Sequence, residues 1–250
     1  MDGFWAAAFW GGLSGSALVL GAAIAWWVKV PARVVAAAMA FGSGVLISAL
    51  SFDLMQEAFH QGGFAATAAG FLGGAAVFTA ANMLIAGHGG TGRKRSGDQQ
   101  AKAEEGGSLG IALGALLDGI PEAIVIGVSL LGGKGVSIVA VAAVFLSNVP
   151  EGLSSTAGMK KAGRGAGFVF GVWGGIAVAT AAAAGFGYLA FDGVDPAWIA
   201  AVNAIAAGAI LAMIADTMIP EAFETAHDYA GMITVAGFLA AFALTKLGGE

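Results

Sequence analysis

No cysteine occurs among the 250 residues, which excludes disulfides, thiolate metal sites and cysteine nucleophiles and leaves the redox compartment unread. Charge is also scarce. Only 11% of residues are charged and 58% are hydrophobic, with a mean hydropathy of +0.84, whereas soluble domains carry about 25% charge. A water-soluble globule is thereby excluded. The apolar runs lack period-2 alternation and far exceed the ~9–11 residues of a membrane β-strand, so the fold is expected to be all-α. Met1-Asp2-Gly3-Phe4 offers no basic stretch, and the apolar run after it is too long for a signal peptide, so it reads as a retained first helix.

Small residues are abundant, with 42 glycines and alanine nearly everywhere, as suits membrane helices whose backbones approach closely. A spanning helix needs about 20 mostly apolar residues. Runs of that kind fall at roughly 4–28, 34–57, 63–87, 108–131, 135–159, 165–190, 196–222 and 230–247. They predict a polytopic bundle of eight transmembrane helices forming one transmembrane domain over 1–250. One polar segment interrupts it, from His88 to Gly107, and reads as a flexible cytoplasmic loop at about 88–107.

Lys and Arg concentrate in cytoplasmic loops. With the N-terminus outside, the inner loops hold Lys29, Arg33, Arg93, Lys94, Arg95, Lys102, Lys160, Lys161 and Arg164, nine of the eleven cations, and the outer side holds Lys134 and Lys246. Both termini are therefore expected to be non-cytoplasmic, in a multi-pass protein of the cell membrane, inner or plasma. The lipid bilayer is its surroundings, and no nucleic-acid partner is expected. Gly/Ala-rich faces permit a homodimer.

The chain also repeats itself. Gly44-Val45-Leu46 leading to Glu57-Ala58-Phe59 matches Gly208-Ala209-Ile210 leading to Glu221-Ala222-Phe223 at an offset of 164, and Gly119-Ile120-Pro121-Glu122-Ala123 is echoed by Asn148-Val149-Pro150-Glu151-Gly152. Pairing the second helix with the seventh and the fourth with the fifth gives a 3+2+3 arrangement of inverted repeats, a transporter pattern with its site near mid-membrane.

The repeated segments carry the polar chemistry. Asp118 and Glu122 are i, i+4, and Asn148 and Glu151 are i, i+3, so each pair projects from one helix face. A carboxylate at the bilayer centre costs at least ~2.5–3.5 kcal/mol, so several in adjacent helices need a partner or a water-filled path. Pro121 and Pro150 lack an N–H, break the local helical hydrogen bonding and free the carbonyls of Leu117 and Leu146 as further cation ligands. The alternative is that Glu122 and Glu151 are protonated and hydrogen-bonded between helices.

The segments Leu117-Asp118-Gly119-Ile120-Pro121-Glu122-Ala123 and Ser147-Asn148-Val149-Pro150-Glu151-Gly152, with eight apolar runs and a polar loop after the third, resemble the ZIP (Zrt-/Irt-like) family of metal transporters. The segments ending at Glu57 and at Pro220-Glu221 are similar to that family too. The resemblance implies a mid-membrane metal site with Glu122 and Glu151 as ligands, Asp118 at the family's His position, and Ser147 and Asn148 beside them. Gly119 stands where the family has Asn, and the sixth helix supplies no acid, so one metal is expected rather than two. The implied function is transport of divalent metal cations (zinc or a broader set such as manganese, iron and cadmium), with the metal as substrate and no cofactor.

Asp53, Glu57, Asp216 and Glu221 are candidate pathway acids, with solvated helix ends as the alternative for Glu57 and Glu221. His60, His88 and His227 read as surface. No H-E-x-x-H, G-x-S-x-G or Cys-His set is present, so no enzyme is expected. A proton-linked or non-selective cation channel is the rival reading, since the same acids could relay protons.

Overall fold

The computed structural model describes residues 3–90, 92–103, 108–132 and 135–247. Residues 104–107 of the polar segment and the outer cation Lys134 lie outside the described residues. Helices account for almost everything described: α1 (Gly3–Trp27), α2 (Ala32–Ala49), α3 (Gln56–Ile85), α4 (Ser108–Ser129), α5 (Ile138–Lys161), α6 (Ala166–Phe191), α7 (Pro196–Met213) and α8 (Ile219–Leu247). No strand occurs among the described residues. The sequence explains several ends. Asp195 caps α7, accepting from the Ala197 amide at 2.8 Å with Pro196 in the first turn, and the Lys160 ammonium caps α1 by donating to the carbonyls of Ala25 (3.0 Å) and Trp26 (2.7 Å).

By length and composition six helices can cross a membrane, and two of these are very long: Ala32–His88 with 57 residues and Pro196–Leu247 with 52. At 1.5 Å per residue a straight 57-residue helix would reach about 85 Å, nearly three times the ~30 Å hydrocarbon core. Neither is straight. The first breaks at Gly63 (φ 69, ψ 177) and the second at His227 (φ 11, ψ −83). The expected ends at 57 and 222 are thus corrected, since helix continues past both and turns at a single residue. The torsions of Gly63 are open essentially to glycine alone.

The two breaks are 164 residues apart, the offset of the sequence repeat. Each is preceded by a π-helical segment, Leu50–Met55 and Ile214–Met218, whose first residues are again 164 apart. Packing repeats as well. A Cβ on Gly44 would collide with the Thr234 carbonyl and one on Gly237 with that of Phe41, which locks α2 to α8. One on Gly208 would meet the Phe71 carbonyl and one on Gly74 that of Ile205, which locks α7 to α3. Beside these, α1 packs on α5 and α6, and α4 on α6. Exchanging α1 with α6, α2 with α7, α3 with α8 and α4 with α5 therefore preserves the main helix pairs.

The core is apolar and fine-grained, built from small residues and Met39, Phe78, Met213 and Met218. The outward faces are apolar too, with Phe64, Leu72 and Val178 each more than two-thirds exposed, as a lipid-facing surface requires.

Candidate functional site

Asp118 and Glu122 fall near the middle of α4, and Ser147, Asn148 and Glu151 near the middle of α5. All five are buried. Pro121 and Pro150 each lie within a helix that runs on past them. Charged groups at this depth cannot be left to water, so the question is what neutralises them.

The answer is the segment read as a flexible loop. Over 92–103 it folds back against the bundle, and Arg93 and Lys94, placed above among the loop cations, are 5% and 2% exposed. The Arg93 guanidinium grips Asp118 in a fork, with Nε to Oδ2 at 2.9 Å and the other arm to Oδ1 at 2.8 Å, and it also donates to the Asn82 side-chain oxygen at 2.8 Å. The Lys94 ammonium bridges two helices, 2.7 Å from Glu151 Oε2 and 3.4 Å from Asp118 Oδ2, with Met213 Sδ at 2.7 Å. Two carboxylates from the repeated Pro-Glu segments thus converge on one cationic nitrogen.

Further contacts hold the segment in place. The Ser154 hydroxyl donates to the Lys94 carbonyl at 2.7 Å, and the Gln100 amide nitrogen lies 2.9–3.2 Å from the carbonyls of Arg93, Arg95 and Ser155. Glu221 is buried and accepts from the Ser96 amide at 3.1 Å and from the Ser96 hydroxyl, while Arg95 pairs with Glu224 at 2.8 Å. The candidate pathway acid Glu221 is therefore no solvated helix end. Glu57 is exposed and accepts from Gln61 one turn on, within a helix that continues to Gly63.

The remaining candidates divide. Ser147 donates to the Val144 carbonyl of its own helix at 2.9 Å, and Asn148 donates to the Ser14 carbonyl of α1 at 3.0 Å, so both are engaged in helix contacts. Glu122 has no hydrogen bond or ion pair among the described residues. It lines a cavity of about 20 Å³ with Asp53, Val125, Val144 and Ile210, room for about one water, and Asp53 Oδ2 is buried there without a hydrogen-bond partner. Asp53 and Asp216 each sit in a π-helical segment, a rare distortion that favours functional positions. Asp216 is exposed and lines a second cavity of about 120 Å³ with Asn82, Arg93, Lys94, Arg95 and Thr217. His60, His88 and His227 are exposed. No group of three or more His, Asp or Glu side chains is drawn together tightly enough to hold a metal ion among the described residues.

Sequence reasoning found the acids and missed their partners. The missed signal was the run Arg93-Lys94-Arg95 itself, three of the chain's eleven cations in succession beside helices carrying acids that need countercharge. Comparison of the chain with protein-family models and with curated proteins finds no match.

Proposed function

We propose that the chain is a membrane transporter of divalent metal cations, with its site between α4 and α5. The observation that carries this reading is the Lys94 ammonium within 3.4 Å of both Asp118 and Glu151. Two anionic groups from different helices already share one cation, and a divalent ion of similar reach satisfies both at once. Glu122, one turn along α4, would bring a third carboxylate to this site, beside the Met213 sulfur that already touches Lys94. Oxygen donors suit harder ions such as manganese, although zinc still binds where it is available.

The path follows from the cavities. Asp53 and Glu122 line one cavity, and Asp216 lines the 120 Å³ cavity together with Arg93 and Lys94 of the ion-paired cluster. Counting each long helix as two spans, divided at Gly63 and His227, gives eight crossings in a 3+2+3 inverted repeat. The loop after the third crossing is then cytoplasmic, with both termini on the opposite face of the cell membrane.

Thermal unfolding of the purified protein with manganese or zinc tests site occupancy. The wild type is expected to rise in Tm with metal concentration and Glu122→Ala to lose most of that rise. Glu122 is the residue of choice because its removal orphans no cation. Equal metal-dependent shifts in the two proteins, or none in the wild type, would count against the site.

A further inference from the structure

The transport reading leaves open what becomes of the site when no metal fills it. Asp118 and Glu151 carry two negative charges in a buried, mid-helix position, and two resident positive charges sit on them, Arg93 in a fork on Asp118 and Lys94 between Asp118 and Glu151. All four side chains are nearly inaccessible, at 2–6% exposure. Both cations belong to one short chain segment, tied down by Ser154, Gln100 and Glu221 rather than built into a helix.

Charge balance in a low-dielectric site sets what can replace such a pair. A monovalent ion that displaced Lys94 would also have to match its hydrogen bonds, and one that displaced both cations would leave a buried carboxylate uncompensated. A divalent ion replaces both charges in one event. Resting on the transport reading, we propose that Arg93 and Lys94 are a resident countercharge that exchanges two for one with a divalent cation. They thereby set selectivity against monovalent ions. The two residues are determinants of specificity, and the segment carrying them leaves the site when metal enters.

Amides of the segment report the displacement. The Ser96 amide donates to Glu221 at 3.1 Å and the Ala103 amide to the Ala162 carbonyl at 2.8 Å, so hydrogen exchange at these two amides is expected to be slow while the segment is docked. Exchange followed by mass spectrometry on the purified wild type is expected to speed up at least tenfold there with manganese or zinc. Potassium at matched ionic strength should leave it unchanged. In vesicles, Lys94→Met, which leaves the site one positive charge short, should admit rubidium at least tenfold faster than the wild type, while Lys94→Arg keeps the wild-type ratio. If Lys94→Met does not fold, the wild-type exchange measurement decides alone. Divalent uptake by the wild type with no change in exchange would overturn this inference and leave the transport reading standing. Absence of divalent binding and uptake would defeat the transport reading itself. Rubidium uptake by Lys94→Met equal to that of the wild type would likewise overturn the countercharge role.

Discussion

Asp118 is the residue on which the cluster turns, because it accepts from Arg93 through both oxygens and lies within 3.4 Å of Lys94. Removing one member of a buried ion pair typically destabilises by ~3–5 kcal/mol, since the partner is left charged and dry. Asp118→Ala is expected to lose about that much in denaturant or thermal unfolding, and Arg93→Met combined with Asp118→Leu much less, because the pair then leaves together. A double substitution as damaging as the single one would contradict the ion-pair account. Asp118→His addresses specificity, since imidazole favours zinc over manganese and cannot receive a guanidinium fork. Competition between the two metals in uptake should shift toward zinc. At this scale the acids were legible, because a doubled Pro-Glu in apolar sequence is hard to explain as packing. Their cations were not, because Arg93 pairs with a residue 25 positions away and Lys94 with one 57 positions away, across a segment whose composition reads as loop.

The helices owe their pairing to glycine placement. On α2 and α7, Gly44 and Gly208 meet backbone carbonyls of the helix opposite, whereas Gly171 on α6 has nothing within 4 Å of where its Cβ would be. Gly44→Val and Gly208→Val should each lower stability by ~1–3 kcal/mol or more through overpacking, and Gly171→Ala should change it little. Similar Tm values for Gly44→Val and Gly171→Ala would refute the packing assignment. Gly63→Ala is expected to cost ~1–3 kcal/mol for a different reason, the strained backbone at the break. The helical runs were legible from hydropathy because a span must be apolar throughout. Their limits near 57 and 222 were not, since a charged or histidine-bearing turn resembles a loop in sequence while the helix carries on to Gly63 and His227. The π-helical segments left no trace in the pattern, because one extra residue in a turn barely alters an apolar run.

Across the whole molecule, exchanging α1–α3 with α6–α8 and α4 with α5 preserves the main helix pairs, and the docked segment links α4 to α5 through Lys94. If the segment joining α3 to α4 is cytoplasmic, as proposed, a tag on either terminus should be labelled only from the opposite face, and labelling of either terminus from the cytoplasm would overturn the orientation. The burial of Arg93 and Lys94 does not weaken the positional argument from cations, because the segment that carries them still joins the same two helices. At the molecular scale the 164-residue offset was legible from the matched Gly44 and Gly208 segments, and the breaks at Gly63 and His227 fall at the same offset. The central claim is that the paired acids of α4 and α5 carry a divalent metal across the membrane. Its most direct test is uptake of manganese and zinc into vesicles holding the purified wild type, Glu122→Ala or Glu151→Ala, with equal insertion verified. Saturable uptake by the wild type and near-complete loss in both variants is the predicted result. Wild-type flux in Glu122→Ala and Glu151→Ala vesicles would contradict the account.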